Sequence, residues 1–272
     1  MKYIVKSSLN LLIGFSCVTM IFTSCGYKDI KDAVYPDQTI YLPAANSGTY
    51  VINSVPEQTT ATPTPGYIYR FSVDTVARKF TIPLSVYRAG INNSGEFNIN
   101  ILSNSDTINK MITLGKLSGV ELMSATAYSI PPLVTMVNGN ETASFNLVIN
   151  LDYLLTNPSK KFALGVGISS TQRKSNPLLN TAIIVVETAM MVPSANFTTS
   201  AAPTNVKMIT FSNSSLFAAS YKWDFGDASA VSTDKSPIHT YAASGTYSVT
   251  LKATGVAGSI NKSIKTVVIT VP

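Results

Sequence analysis

Apolar residues fall on every second position in run after run of this chain, and Pro, Gly, Asn or Ser soon breaks each run. "GEFNINILSN" (95–104) puts Phe97, Ile99 and Ile101 on one face, and "KFTIPLSVYRAG" (79–90) does the same with Phe80, Ile82, Leu84 and Val86. "ASFNLVINL" (143–151) repeats the pattern with Phe145, Leu147, Ile149 and Leu151, leaving Val148 opposite. A repeat of two is the period of a half-buried strand. "TIYLPAA" (39–45), ended by Pro43, and "GYIYRFSVD" (66–74) read as further strands, as does "KFALGVGIS" (161–169). "TAIIVVET" (181–188) is apolar on both faces, which predicts a central strand. Pro83 cannot donate to a ladder, so its strand is expected at a sheet edge or a bulge. Only "LDYLLTNP" (151–158) predicts a helical turn, closed by Pro158. Many short strands joined by turn residues predict an all-β chain, two Ig-like β-sandwich domains in tandem, rather than a parallel α/β fold. Gly165-x-Gly167 is no phosphate loop, because no helix pattern follows it.

Composition excludes some classes of function. The chain of 272 residues is 45% hydrophobic and only 12% charged, with Ser, Thr and Asn in place of Lys and Glu. Disorder needs the opposite balance. Basic residues are scattered, with Lys160-Lys161 and Arg173-Lys174 as isolated pairs. A nucleic-acid surface concentrates its charge, so no nucleic-acid partner is expected.

The first 25 residues, "MKYIVKSSLNLLIGFSCVTMIFTSC", carry an address. Lys2 and Lys6 precede an apolar stretch from Leu9 to Phe22, too short to span a bilayer comfortably, which is the pattern of a secretory signal. The ending Phe22-Thr23-Ser24-Cys25 resembles a bacterial lipobox, although Leu is usual where Phe22 stands. The other cysteine, Cys17, lies inside the signal, so the mature chain would hold Cys25 alone and no internal disulfide. The expected layout is a lipoprotein signal peptide (1–24), a polar tether (25–40), a β-sandwich (41–190) and a second β-sandwich (192–272). Cys25 is the expected lipidation site and the membrane contact. The expected location is the outer membrane, facing the cell surface. Of the chain's 20 basic and 14 acidic residues, 18 and 14 remain after the signal, a net charge of +4.

"SYKWDFGDASA" (220–230) contains the Asp224-Phe225-Gly226 tripeptide that holds magnesium in protein kinases. A kinase also needs a Gly-rich loop, a strand lysine and a His-Arg-Asp loop, and none is present. Tyr221, Trp223 and Phe225 alternate onto one face, as do Tyr247, Val249, Leu251 and Ala253, which predicts a sandwich core around one large aromatic. Gly226 permits a tight turn, and the flanking carboxylates accept backbone N–H bonds there. The spacing of Trp223-Asp224-Phe225-Gly226-Asp227, His239-x-Tyr241 and Gly245-x-Tyr247-x-Val249-x-Leu251 resembles a PKD domain, the Ig-like module named from polycystic kidney disease protein. Family members commonly have Gly after the second Asp, where this chain has Ala228. Calcium would need six or more oxygens, and Asp224 and Asp227 supply few. The chain's single histidine, His239, has no second His, Cys or Ser motif for a zinc site or a triad. No metal and no cofactor is expected.

Upstream, "IYLPAANSG", "VNGNETASFNLVINLDYL" and "KFALGVGISS…NTAIIVV" resemble a domain of unknown function found at the N-terminus of Bacteroidetes surface lipoproteins of glycan-utilisation systems. The resemblance implies a polysaccharide or glycoprotein glycan as partner. The tyrosines Tyr41, Tyr50, Tyr67, Tyr69, Tyr87, Tyr128 and Tyr153 are the stacking groups available, with Tyr67 and Tyr69 as candidate glycan contacts. A hydrolase would need paired acids in one cleft, and Asp74, Glu96 and Glu141 are far apart in sequence. The expected role is therefore non-catalytic: a glycan-binding or accessory lipoprotein. The alternative is a structural or adhesive spacer that contacts other envelope proteins.

Overall fold

The structure, a computed structural model, describes residues 37–55, 71–90 and 92–272. Cys25, the expected lipidation site, and the candidate glycan contacts Tyr67 and Tyr69 lie outside the described residues. No helix among the described residues is long and apolar enough to cross a membrane.

The described strands of the first sandwich run in chain order as β1 (Thr39–Tyr41), β2 (Thr49–Ile52), β3 (Ser72–Asp74), β4 (Lys79–Ala89), β5 (Phe97–Ser103) and β6 (Glu121–Leu122). They continue as β7 (Tyr128–Ser129), β8 (Leu133–Met136), β9 (Thr142–Asn150), β10 (Lys161–Ser169), β11 (Lys174–Ser175) and β12 (Thr181–Glu187). One sheet has the order β11-β1-β4-β9-β7 with β3 added to β4; the other has β2-β12-β10-β5-β8 with β6 added to β10. The alternating faces meet in the middle. Phe80, Ile82, Leu84 and Val86 from one sheet and Phe97, Ile99, Leu164 and Ile184 from the other share a core. Strand β12 lies between β2 and β10 and is buried on both faces, as its sequence predicts.

Strand β4 is interior, not the edge expected from Pro83. It runs alongside β9 over Lys79–Tyr87. On its other side β3 pairs only with 79–81 and β1 only with 87–89. Pro83 faces the gap between them, where no described strand needs its missing N–H. The helix reading also needs correction. Leu151–Leu155 is helical, capped by Asn150, but a second helix, α1 (Ser105–Thr113), precedes it. Its signal is the Asn104 cap followed by Ile108, Met111 and Ile112 at helical spacing. Asn104 accepts the Thr107 N–H at the first turn, and Ile108 then packs on Ala163, Ile183 and Val185 on the outer face of the second sheet. Gly165 makes that docking possible, since a Cβ there would lie 2.4 Å from the Asn104 carbonyl oxygen.

The second sandwich pairs a sheet of β13 (Phe197–Ala202), β14 (Asn205–Asn213) and β16 (Ile238–Thr240) with a sheet of β15 (Ser220–Asp224), β17 (Gly245–Thr254) and β18 (Lys262–Val271). Its core is Phe197, Phe211, Trp223, Phe225, Tyr241, Val249 and Leu251 with their neighbours. The two sandwiches touch through the β17–β18 loop. Ala257 is 1% exposed because it enters the core of the first sandwich, and the Asn261 amide donates to the Met191 carbonyl. A Cβ at Gly255 would meet the Asn261 side-chain amide, which would have to move to admit it.

Candidate functional site

The Trp-Asp-Phe-Gly-Asp stretch folds as scaffold. Trp223 is wholly buried, edge-on to Phe197 at 5.0 Å, and its indole N–H donates to the Asp234 carbonyl (2.9 Å). Asp224 accepts the Gly226 N–H (3.0 Å), and Asp227 accepts both the N–H (3.1 Å) and the hydroxyl (2.6 Å) of Ser229. Gly226 has φ +78°, and a Cβ on it would come within 2.6 Å of the Ser248 carbonyl oxygen. Ala228 holds φ +60°, the left-handed region that suits the glycine usual in the motif.

His239 lies flat on Phe225 (4.0 Å) and edge-on to Tyr241 (4.7 Å), with Nε2 2.7 Å from Asp227 Oδ2. Burial alone would raise the Asp227 pKa, but hydrogen bonds from the Ser229 hydroxyl, His239 and the Ser229 amide outweigh it and hold the carboxyl below the usual carboxylate range. Tyr241 donates to the Phe225 carbonyl and stacks on Tyr247; burial first, then the nearby Asp227 and Tyr247, push its phenol up to about 12. Gly245 and Tyr247 open β17, and the Tyr247 hydroxyl closes the preceding turn on the Ala243 carbonyl. These carboxylates are occupied in holding turns, and no cluster of three metal-ligating side chains occurs among the described residues.

The acids of the first sandwich also stay apart. Asp74 accepts the amides of Val76 and Ala77 in its own turn, and Glu141 accepts from Asn93. What the fold does assemble is a pair of neighbouring clefts along the segment between β10 and β12. Strand β1 runs beside this segment: the Asn176 N–H donates to the Ile40 carbonyl, and the Leu42 N–H to the Leu179 carbonyl. The smaller cleft, about 540 Å³, is lined by Tyr41, Tyr50, Asn46, Ser47 and Leu179. Register places Tyr41 directly opposite Tyr87 on the outer face of the sheet, with ring centres 5.8 Å apart and planes tilted by 38°. Both rings stay partly exposed. Among the other tyrosines, Tyr50 is buried, Tyr153 packs on Phe162, and Tyr128 bonds Ser103.

The larger cleft, about 930 Å³, is polar and lies between Asp37-Gln38 and the 169–177 segment. Arg173 forms part of its wall. Its Nε donates to Gln38 (3.1 Å), and its guanidinium lies 5.1 Å from the centre of the Phe97 ring. Arg88 approaches the same ring, also at 5.1 Å. Arg88 follows Val86 on the inward face of β4 and is 5% exposed.

A family model for a "-like, N-terminal domain" matches residues 35–175, more than half of the chain, and a PKD-domain model matches residues 191–271. The chain belongs to that N-terminal-domain family. Behind that domain it carries a PKD domain. A search of curated proteins finds no match. Among solved structures, the PKD1 domain of the Vibrio cholerae metalloprotease PrtV is 30% identical, with 29% of this chain and 96% of that one covered and a TM-score of 0.26. A Bacteroides ovatus protein proposed to bind carbohydrate is 10% identical over 84% of this chain and 67% of its own, TM-score 0.37. Bacteroides thetaiotamicron EndoBT-3987, solved with a Man5GlcNAc product, is 13% identical over 57% of this chain and 32% of its own, TM-score 0.38.

Proposed function

We propose that this chain is a non-catalytic cell-envelope protein that binds glycan through its first sandwich, as an accessory of a polysaccharide-utilisation system. In this reading Cys25 carries the lipid that holds the protein on the outer membrane, facing outward. The tether of residues 25–40 joins that anchor to the first sandwich, and the PKD domain, on the far side of the first sandwich in chain order, acts as a spacer. The carrying observation is the Tyr41–Tyr87 pair beside a cleft edged by Asn46 and Ser47. Sugar rings present flat C–H faces and hydroxyl rims, so an aromatic surface next to amide and hydroxyl groups suits them. The carboxylates support the non-catalytic part of the reading, because Asp74, Asp224 and Asp227 hold turns while Asp152, Glu121 and Glu187 pair with Arg78, Lys160 and Lys161.

The test is affinity gel electrophoresis of the soluble full chain, residues 26–272, through a panel of polysaccharides. Retardation by at least one, weakened about tenfold or more in Tyr41→Ala with Tyr87→Ala, is the expected result, since loss of stacking on one sugar is worth about 1–2 kcal/mol. Unchanged retardation in that double variant would remove the site. In cells, Cys25→Ala should free the protein from the membrane fraction, and a processed variant that stays bound would remove the anchor. The spacer reading draws on a different observation, the insertion of Ala257 into the neighbouring core, which ties the two domains together. Absence of retardation by every polysaccharide would favour it.

A further inference from the structure

The polar cleft beside the tyrosine pair is lined by two basic residues, Arg173 and Lys174, against one acid, Asp37, and Arg88 lies against the same Phe97 ring as Arg173. Arg88 donates to the carbonyls of Ser94 (2.7 Å), Gly95 (3.0 Å) and Val137 (2.9 Å), and its Nε has no partner. Arg173 donates to the Gln38 side chain and to the Gln172 carbonyl (2.9 Å). Every one of these acceptors is neutral. Among the described residues no carboxylate forms an ion pair with either arginine. Buried cations are ordinarily matched by an anion, because desolvation is otherwise uncompensated. Here two guanidiniums instead flank one phenyl ring, and the charge of Arg173 adds to burial in lowering the Arg88 pKa. Arginine stays protonated even so, and both charges persist at neutral pH.

Lys174 adds a third cation at the rim. Among the described residues its ion-pair neighbour is Asp37 at 3.9 Å, and both side chains are more than four-fifths exposed, so water screens that pair almost completely. Hydroxyls and amides share the lining with these basic groups, Thr171, Ser175 and Gln38 together with Ser170 and Gln172, which also bond the Asn98 backbone, and Asp37 is the carboxylate at its edge. A cationic wall ringed by hydroxyl and amide groups matches a ligand that is both hydroxyl-rich and negatively charged.

We infer that the polar cleft takes the anionic group of an acidic saccharide, a carboxylate or sulfate, on Arg173 and Lys174, while adjoining sugar units run along β1 to Tyr41 and Tyr87. This inference rests on the glycan-binding reading above and narrows it to acidic glycans. Guanidinium is the suitable group, because its planar fork meets two anion oxygens at once. The Phe97 ring and Gln38 hold it in place beforehand, which reduces the entropy lost on binding.

The experiment uses the soluble full chain in gels containing polygalacturonate, dextran sulfate or neutral dextran. The polygalacturonate and dextran sulfate arms separate a carboxylate from a sulfate as the recognised group. Retardation in at least one acidic gel, reduced about tenfold in Arg173→Gln, is expected, corresponding to loss of one charge-assisted contact. Lys174→Gln, on the surface and free of packing, should weaken the same gel's retardation and keep its melting temperature. Lys222→Gln with Lys252→Gln, in the lysine-lined trough of the PKD domain, should change nothing. Loss of retardation in that lysine pair but not in Arg173→Gln or Lys174→Gln would overturn the assignment. Retardation by neutral polysaccharides alone would overturn acidic recognition and leave the glycan reading intact. No retardation in any gel, acidic or neutral, would overturn both.

Discussion

The first sandwich fills its interior with aliphatic side chains and leaves clefts at one margin, whereas the PKD domain threads a chain of aromatic rings through a small core. In the first, Ile40, Ile82, Leu147, Leu164, Ile184 and their neighbours pack between two broad sheets, and long segments such as 169–180 are free to shape a surface. In the second, Phe197, Trp223, Phe211, Phe225, His239, Tyr241 and Tyr247 touch in succession, each ring centre within 5.5 Å of the next. The turns that present those rings are tied by Asp224 and Asp227. A small domain buries a smaller share of its surface, so a few large rings must supply most of its apolar burial. A larger core can spread that burden over many interchangeable methyl groups and let its loops vary. The polar side chains of the PKD motif are therefore used in folding; along 169–177 Ser170 and Gln172 also bond the Asn98 backbone, while Thr171, Arg173, Lys174 and Ser175 line the polar cleft.

The largest test of this contrast is Trp223→Ala. Removing a wholly buried indole together with its bond to Asp234 should cost about 3–5 kcal/mol. Thermal unfolding followed by circular dichroism measures it, and a melting temperature near wild type would mean that the aromatic chain does not carry the domain. Deleting a single aliphatic group from the first core, as in Ile82→Val, should cost about 0.5–1.5 kcal/mol.

A pH titration gives an intermediate effect. The Asp227 carboxyl is held below its ordinary value in the folded chain, so its contribution is present above the unfolded carboxylate pKa of about 4 and is lost as pH falls through the lower folded value. Asp227→Asn should therefore melt below wild type at pH 6, and the gap should close as the pH drops below about 4. Because Trp223 is the chain's one tryptophan, its fluorescence reports this domain alone. A gap of constant size down to pH 3 would show that the Asp227 charge is not what ties the turn.

The smallest effect should have the opposite sign. Ala228 adopts a left-handed conformation that costs an L-residue about 1 kcal/mol, so Ala228→Gly should stabilise the PKD domain by up to about that amount. Destabilisation in a denaturant titration would show that the Ala228 methyl makes contacts that outweigh its backbone strain.

Much of the architecture was written in local pattern. The period of two placed Phe80 through Val86, Phe97 through Ile101 and Phe145 through Leu151 on inner faces, because successive strand side chains point to opposite sides whatever the partner strand. The PKD motif was equally legible, since its residue types and spacing run along the chain, even though contacts such as Trp223 on Phe197 and Asp227 with His239 cross between the sheets. Helix α1 escaped although Asn104 caps it and Ile108, Met111 and Ile112 stand at helical spacing, because one short apolar stripe is easily passed over in a chain dominated by strand alternation. Pro83 misled because edge and interior are properties of a sheet, and one strand can be paired along its length on one side and open at a single point on the other.

The candidate site belongs to what only the tertiary structure decided. Tyr41 and Tyr87 are far apart in sequence and meet through the register of β1 on β4. Arg88, Phe97 and Arg173 come from three separate segments. By itself the sequence determined which residues turn inward, where the chain bends and which module closes it, since those depend on neighbours a few positions away. Which exposed side chains share a surface was decided by strand pairing, because it joins residues whose separation along the chain carries no local signal.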